Sequence, residues 1–439
     1  MTQQQFQDAT APFLNHGKQV PLDVPKGWRR VEGSHPGKQF YVHVATGTMS
    51  KSPTDLFNCR EECWMTKDGL PIDQEDVLLS PHLQILQTAY PQVDSSSSSS
   101  SKRRQDVEAP RSSPQPQQLA SAVLPTGPAL PVGLLFPGQG SQYVKMLEGV
   151  KDLPAVKEML ETAKRILEFD ILDLCLNGPE SRLEQTKFCQ PAMYIAGLAA
   201  VEKLRLEHPD KLERCQAVAG LSLGEYTALT VAGVMDFETG LKVVKLRAEA
   251  MQEAAGASEQ CMMSVAGLSQ EKLAVLCQES CEAPGDVCEI ANCLFPNGFS
   301  CAGSAKAVER LMAKAQQTEG CLQAKLLKTS GGFHTRLMAP ARERLLAALR
   351  DAEPHMRPPR CDVYLNVTGK RIAPGTQPSE LIQLMGDQLC SCVLWEPAVR
   401  AMIADGVTEF YECGPMKQLK AMMKRIDAEA FKNTNTVDV

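Results

Sequence analysis

The chain has 439 residues, a length at which two or three domains are expected. Hydrophobic residues make up 43% of it, enough for a substantial core, and the net charge of −6 argues against a nucleic-acid-binding surface as the main function. No apolar run reaches the roughly 18 residues that a membrane-spanning helix needs, so no membrane association is predicted.

The 16 cysteines are scattered through apolar and helical stretches and contain no C-x-x-C pair. This distribution indicates reduced thiols in an intracellular protein rather than a disulfide framework or a zinc site. Residues 1–18 have neither an apolar signal core nor the Arg-rich amphipathic pattern of a transit peptide, so the sequence gives no support for targeting.

Residues 22–57 are predicted to form a small β module. Trp28 opens it, an aromatic segment runs over residues 40–43, and Pro53 closes it. These features resemble a WW domain, in which the tryptophan and the closing proline make a structural buckle. WW domains also hold polyproline ligands with a second aromatic residue, but residues 49–52 read Met-Ser-Lys-Ser. The resemblance therefore implies at most weak binding of a Pro-rich ligand, and a purely structural appendage fits the sequence equally well.

Residues 92–128 are predicted to be a disordered linker. The segment contains seven consecutive serines at 95–101 and then a Pro- and Gln-rich stretch. Such a composition buries too little apolar surface to offset the entropy lost on ordering. The basic cluster at 102–104 is interpreted as a solvated charge run rather than a targeting or nucleic-acid patch.

After the linker, residues 129–428 are predicted to form one α/β unit. It begins with an apolar strand at 132–136, followed by a Gly-rich loop, PGQGSQ, at 137–142. The loop lacks the Lys-Ser/Thr ending of a P-loop and the full spacing of a dinucleotide site. Its exposed backbone N–H groups fit a second use better, which is to stabilise a negative oxygen beside a nucleophile.

The segment GLSLGEY at 220–226 places Ser222 between two glycines. An apolar run at 215–220 precedes it and a helical pattern follows, which is the layout of a nucleophile elbow. The motif alone is weak, because an ordinary strand–helix turn with a capping serine has the same pattern. Motifs elsewhere in the chain are needed to distinguish a catalytic serine from a capping serine.

Residues 262–329 alternate as strand, helix, strand, strand, helix, strand, which is the ferredoxin-like pattern. An insert of this kind implies two subdomains with a crevice between them. The chain returns to the larger subdomain at 329–341, and His334 lies in this Gly-rich crossing. A lone histidine is more often structural, but together with Ser222 it would supply the base that a nucleophilic serine needs.

Eight motifs complete the pattern: FPGQGSQ (136–142), QPAM (190–193), GLSLGEYTAL (220–229), VVKLRAEAMQEA (243–254), GGFHT (331–335), NVTG (366–369), DQLCSCVLW (387–395) and YECGP (411–415). On these motifs, residues 132–426 resemble the malonyl-CoA:acyl-carrier-protein transacylases of fatty-acid synthesis. Leu221 stands where several bacterial members have histidine, as in plant plastid relatives. The ANxN segment of the family matches only at Asn292. Cytoplasm and plastid both stay open as compartments.

The resemblance implies a role for each matching position of the catalytic centre. Ser222 would be the nucleophile, His334 its general base, and the backbone N–H groups of Gln139 and Leu223 the oxyanion hole. No acidic third residue is evident in the sequence. In the family a backbone carbonyl orients the histidine instead, and the matching position is Gln388.

The resemblance also implies the substrates. Arg247 would hold the malonyl carboxylate through two hydrogen bonds, although an arginine in the middle of a helix is otherwise interpreted as solvated. Gln190 would line the pocket, and Phe333 matches malonyl-selective rather than methylmalonyl-selective relatives. Malonyl-CoA and phosphopantetheinylated acyl carrier protein are the implied substrate and partner, without a metal or other cofactor.

The predicted fold class is therefore α/β: a larger hydrolase-like subdomain, an inserted ferredoxin-like α+β subdomain and a small WW-like β module. Three alternatives remain open. An acyltransferase acting in trans on a polyketide synthase is hardly separable from the sequence. A serine thioesterase or hydrolase should have an acidic residue between serine and histidine, and it would not need Arg247. A scaffold whose WW-like module is the working part would not need the intact motifs.

Overall fold

The computed structural model describes residues 28–32, 39–43, 49–50, 132–328 and 331–439. The chain divides into two compact units, Met1–Ser113 and Pro114–Val439. The predicted linker, residues 92–128, and Pro53 of the predicted β module lie outside the described residues.

The described residues of the first unit form three short strands, β1 (Trp28–Glu32), β2 (Gln39–His43) and β3 (Met49–Ser50). They form an antiparallel sheet in the order β1-β2-β3. The strands fall inside the predicted β module, and its WW-like character stays a prediction.

In the second unit, the strands are β4 (Val132–Phe136), β5 (Cys215–Gly220), β6 (Gln260–Ala266), β7 (Cys288–Phe295), β8 (Gly298–Ser304), β9 (Gln323–Leu326), β10 (Asp362–Tyr364), β11 (Arg371–Ile372), β12 (Val393–Leu394), β13 (Glu409–Cys413) and β14 (Thr434–Val437). The helices are α1 (Pro154–Leu167), α2 (Ile171–Asn177), α3 (Glu180–Leu183), α4 (Thr186–Glu207), α5 (Pro209–Glu213), α6 (Gly224–Val231), α7 (Phe237–Gly256), α8 (Gln270–Glu279), α9 (Ala305–Gln317), α10 (Ala339–Ala352), α11 (Pro378–Asp387), α12 (Trp395–Ala404), α13 (Gln418–Ile426) and α14 (Ala428–Lys432). Short 3₁₀ turns occupy Arg336–Met338, Glu353–His355 and Gln388–Cys390.

The larger sheet has six strands in the order β11-β10-β5-β4-β13-β14. Every neighbouring pair is parallel except β10 with β11. All five residues of β4 are buried, as expected for a central parallel strand covered on both faces. The α/β class predicted from the sequence is confirmed.

Helices α4 and α7 pack against each other in the main hydrophobic core. Helix α4 is buried around most of its circumference, which is typical of a helix inside a large core. Helix α7 begins where the Asp236 carboxylate accepts a hydrogen bond from the Thr239 N–H, a normal N-cap. These two helices carry Gln190 and Arg247, respectively.

The second sheet has five strands in the order β12-β7-β8-β6-β9. Between Gln260 and Leu326 the elements follow one another as strand, helix, strand, strand, helix, strand. The four strands of this stretch are antiparallel, and β12 adds to the edge of β7 in parallel. Strand β12 follows Gln388 by only a few residues. A short segment of the chain therefore connects this predicted site residue to the edge of the second sheet.

The larger sheet continues beyond residue 428, where the sequence predicts the end of the unit. Strand β14 pairs in parallel with β13, with Phe410 opposite Thr434. Its sequence, Thr-Asn-Thr-Val, is short and polar, so it carries no clear strand signal. Among the described residues, no helix is long and apolar enough to cross a membrane. The cysteines of these residues are free thiols, most of them buried.

Candidate active site

Ser222 occupies a sharp turn between β5 and α6. Its φ of 52° lies in the left-handed region, which costs energy for a residue with a side chain. The flanking glycines are required by space: a Cβ on Gly220 would lie 1.9 Å from the Gly224 carbonyl carbon, and one on Gly224 would lie 2.1 Å from the Phe136 oxygen. The turn therefore presents the serine at the end of a buried strand, as a nucleophile elbow does.

The order of strands brings distant loops to this turn. Strands β4, β5 and β10 are parallel neighbours, so the loops at their carboxyl ends meet at one edge of the sheet. These loops carry Gln139, Ser222 and Asn366, respectively. The Leu221 N–H donates to the Phe136 carbonyl over 2.9 Å, which joins the elbow to the end of β4.

His334 lies beside Ser222 and is almost fully buried, with 4% of its surface exposed. Its Nε2 is 2.8 Å from the Ser222 Oγ, and its Nδ1 is 2.8 Å from the Gln388 carbonyl oxygen. A carbonyl oxygen can only accept, so Nδ1 carries the proton and Nε2 is free to accept from the serine hydroxyl. This is the tautomer that a general base needs.

Burial and the positive charge of Arg247 lower the pKa of His334 to about 4. Both causes disfavour the charged imidazolium. The histidine is therefore neutral, and able to accept a proton, over the whole physiological pH range.

We expect the acidic limb of enzyme acylation to lie near pH 4. Only neutral His334 can accept the Ser222 proton, so the rate should rise as pH rises through about 4 and stay level above it. The measurement is single-turnover acylation after pH jumps from neutral buffer, with acetyl-CoA as a control acyl donor that has no carboxylate. A limb near 6.5, the ordinary pKa of histidine, would contradict this expectation.

Arg247 is fully buried, so the interpretation of a solvated helix arginine is wrong. Its Nη1 donates to the Gln190 Oε1 over 2.6 Å, and its Nη2 donates to the Gln388 Oε1 over 2.8 Å and to the Ser222 Oγ over 3.2 Å. The guanidinium also lies 5.0 Å from the centre of the Tyr226 ring. A buried cation thus faces the serine oxygen, held by neutral amides.

The remaining predicted residues flank this centre. Leu223 is the N-cap of α6, where a backbone N–H has no partner within the helix. Gln139 is half-buried in the loop after β4, and its side chain donates to Thr186 Oγ1 over 3.4 Å. Phe333, 6% exposed, belongs to the main hydrophobic core next to His334.

Two buried polar residues of this centre were not identified from the sequence. The Asn366 Oδ1 accepts from the Ser222 N–H, and its Nδ2 donates to the Gly220 carbonyl, both over 2.7 Å. The Glu225 carboxylate accepts from the Asn366 N–H over 2.6 Å and from the Gln388 Nε2 over 2.9 Å. Asn366 lies in the NVTG motif and Glu225 in the GLSLGEY motif. These motifs are the sequence features from which the two residues could have been identified.

Burial raises the pKa of Glu225 to about 7, against the opposing effects of its hydrogen bonds and of Arg247.

Within the described residues, no group of three or more His, Cys, Asp or Glu side chains is arranged to hold a metal ion. The chemistry that this centre can perform is nucleophilic attack by a serine, next to a buried cation suited to an anionic acyl group.

Comparisons with known proteins show which family this chain resembles in sequence and fold. The acyl transferase domain family matches residues 134–437. The human mitochondrial malonyl-CoA-acyl carrier protein transacylase is 41% identical over 316 residues, which cover 70% of this chain and 80% of that protein. A crystal structure of an acyl carrier protein S-malonyltransferase from Vibrio cholerae is 34% identical, with a TM-score of 0.64 over 70% of this chain and 97% of that one. A malonyl-transacylase solved in complex with its type II PKS acyl-carrier protein is 30% identical, with a TM-score of 0.63 over 70% and 94%.

Proposed function

We propose a function for this chain on the basis of its family and its site. The chain belongs to the acyl transferase family, within the group of malonyl-CoA-acyl carrier protein transacylases. The chain transfers a malonyl group from malonyl-CoA to the phosphopantetheine thiol of acyl carrier protein and so feeds fatty-acid biosynthesis. The observation that carries the proposal is the buried Arg247 guanidinium, 3.2 Å from the oxygen of a histidine-paired serine.

In the first half-reaction, the Ser222 Oγ attacks the thioester carbonyl while His334 Nε2 takes its proton. The negative oxygen that develops is stabilised by the backbone N–H groups of Gln139 and Leu223. The C–S bond then breaks, His334 returns the proton to the leaving coenzyme A thiolate, and a malonyl-serine ester remains.

In the second half-reaction, the carrier's thiol gives its proton to His334 and attacks the ester carbonyl. The Ser222 oxygen leaves and takes the proton back, so atoms and charge balance without a metal or redox cofactor. Arg247 pairs with the malonyl carboxylate in both halves and holds the carbonyl near Ser222. A pocket that holds the acyl group in this way favours transfer to the thiol over attack by water.

The direct test is a panel of acyl-CoA donors with purified acyl carrier protein. Mass spectrometry should detect a malonyl adduct on Ser222 and then on the carrier, with malonyl-CoA preferred over acetyl-CoA. An enzyme that releases free malonate without loading the carrier would contradict the proposal and favour the hydrolase alternative.

A role in polyketide synthesis is the second candidate function. The observation that favours it is the likeness to the malonyl-transacylase solved with a type II PKS acyl-carrier protein. Loading rates with carriers from the two pathways separate the candidates, because the pathway is determined by the partner and not by the acyl chemistry.

We propose a mitochondrial location instead of the cytoplasm or plastid considered from the sequence. The support is the human relative, whose name places that protein in mitochondria. Microscopy of the full chain carrying a C-terminal fluorescent tag tests this location, and a cytoplasmic or plastid signal would contradict it.

We further propose that the stretch 262–329 is a ferredoxin-like subdomain inserted into the transacylase unit, and that residues 22–57 are a WW-like module outside it. Support for the first comes from the strand order β7-β8-β6-β9, and for the second from the antiparallel order β1-β2-β3.

A chain shortened to begin at Ala129 should fold and transfer malonyl at close to the full-length rate. All the proposed site residues lie after residue 132, and a Ser/Pro/Gln-rich linker should tether the N-terminal module loosely. The measurement is the transfer rate of both chains, with thermal unfolding as the folding control. A shortened chain that folds normally but turns over about tenfold slower would show that the module takes part in catalysis or carrier docking.

A further inference from the structure

The side chain of Gln388 lies at the centre of the site's hydrogen-bond network. Its Oε1 accepts from the Arg247 Nη2 over 2.8 Å. Its Nε2 donates to the Ser222 carbonyl and to the Glu225 Oε1, each over 2.9 Å. The Gln388 side chain is fully buried, so its amide cannot exchange these partners for bulk water.

The orientation of this amide is determined by its neighbours. The guanidinium of Arg247 can only donate and the Ser222 carbonyl can only accept, and both oxygens of Glu225 face N–H donors. Rotating the amide by half a turn would place its NH₂ against the guanidinium and its oxygen against the two acceptors. One orientation therefore satisfies every group, and the opposite one satisfies none.

Glu225 is itself held in place by the backbone. Its second oxygen, Oε2, accepts from the Asn366 N–H over 2.6 Å. The carboxylate thus receives one donor on each oxygen, one from a fixed backbone group and one from the Gln388 amide. A neutral amide at position 225 could not accept from both, because one of its two terminal atoms is a donor.

Interposing Gln388 between Glu225 and Arg247 has a chemical consequence. A direct carboxylate–guanidinium pair would occupy the planar fork of Arg247 and neutralise its charge. The amide oxygen instead fixes one Nη atom and leaves the cation available to an incoming carboxylate. Gln190 performs the same function at Nη1, over 2.6 Å.

We propose that the Gln388 side chain is a positioning residue for malonyl selectivity, holding the Arg247 guanidinium against Ser222, and that Glu225 fixes the orientation in which it does so. This role rests on the proposed malonyl transfer. It is separate from that of the Gln388 backbone carbonyl, which orients His334.

The test is Gln388→Met in the full chain. Methionine has a similar length and keeps the backbone carbonyl, but its side chain cannot make the three hydrogen bonds. We expect kcat/KM for malonyl-CoA to fall about tenfold, mainly through KM, as for a lost hydrogen bond to a charged group. Acetyl-CoA has no carboxylate, so its kcat/KM should fall by a smaller factor than that of malonyl-CoA, and the malonyl-to-acetyl preference should decrease.

Glu225→Gln is the second variant, and it should also lower the malonyl-to-acetyl preference. The Asn366 N–H is fixed in the backbone, so the Gln388 amide is the group that turns, and its NH₂ then faces Arg247. If Glu225 were only a countercharge to Arg247, its neutralisation would strengthen malonyl binding and raise the preference. The double variant should lose no more than Gln388→Met alone, because Glu225 acts through Gln388.

Glu412→Gln is the matched control. Glu412 is equally buried and accepts from the Leu419 and Lys420 N–H groups, each over 2.9 Å, at the start of α13. It should leave the malonyl-to-acetyl preference unchanged. Equal losses for both acyl donors in Gln388→Met, or a lower preference in Glu412→Gln, would overturn the proposal. Absence of a malonyl adduct on the wild-type Ser222 would overturn the proposed function instead.

Discussion

Replacing Ser222 with alanine is expected to abolish the malonyl-enzyme adduct and to slow transfer by about a thousandfold or more, as loss of a covalent nucleophile does. The His334 Nε2 loses its partner at 2.8 Å, and no other described hydroxyl or thiol is bonded to that nitrogen. The measurement is intact-protein mass after incubation with malonyl-CoA, together with the steady-state rate of carrier loading.

Ser264→Ala is the control for this change. Ser264 lies on β6, where its hydroxyl accepts from Gln323 Nε2 over 2.7 Å and donates to the Lys325 carbonyl over 3.4 Å. This change also removes one serine hydroxyl oxygen, but from the second sheet. The malonyl-enzyme adduct and the rate of carrier loading should therefore stay at wild-type levels. A Ser222→Ala enzyme that still formed the adduct would assign the nucleophile to another residue.

The part of the site that could be predicted from the sequence is the part that depends on local geometry. The Gly-Leu-Ser-Leu-Gly stretch predicts the elbow because Gly220 and Gly224 are the positions at which a Cβ would clash. The loop carrying Gln139 follows a buried apolar strand, and parallel strands place such loops at one edge. Both inferences need only the immediate neighbours along the chain.

The part that could not be predicted depends on contacts between distant segments. Arg247 is assigned to the site only through the family resemblance, because its own pattern is that of a solvated helix residue, and its burial depends on the packing of α7 against α4 and α10. Its bonds to Gln190 and Gln388 span 57 and 141 residues. The motifs identified Gln388 for its backbone carbonyl, but a side-chain orientation that depends on Glu225 leaves no periodic signal.

The same limit applies at the ends of the elements. Strand β14 is polar and has only four residues, so its pairing with β13 is visible only in three dimensions. Strand β12 has two residues and joins the second sheet from a segment about 100 residues away from β7 in sequence. Sheet edges of this length are determined by the neighbouring strand rather than by their own residues.

Arg247→Ala is expected to remove the preference for malonyl over acetyl. Truncating one partner of a charge-assisted pair in a buried site costs about 2–5 kcal/mol, which corresponds to at least about thirtyfold in kcat/KM for malonyl-CoA. Acetyl-CoA has no carboxylate to lose, so its transfer should hold or rise. The measurement is kcat/KM with both donors. Lys245→Ala is the matched control, because it removes one positive charge at a partly exposed position on the same helix.

This change should also raise the pKa of His334, because the charge of Arg247 is one of the two causes that lower it. The acidic limb of acetyl-CoA acylation should therefore move above pH 4, while Lys245→Ala leaves it in place. Truncation leaves the Gln190 and Gln388 oxygens unpaired in the interior, so a fall in stability of about 1–3 kcal/mol is expected and is measured separately by denaturant unfolding. An equal loss of malonyl and acetyl transfer, with an unchanged acidic limb, would make Arg247 a structural residue, and the selectivity of the enzyme would have to come from elsewhere in the pocket.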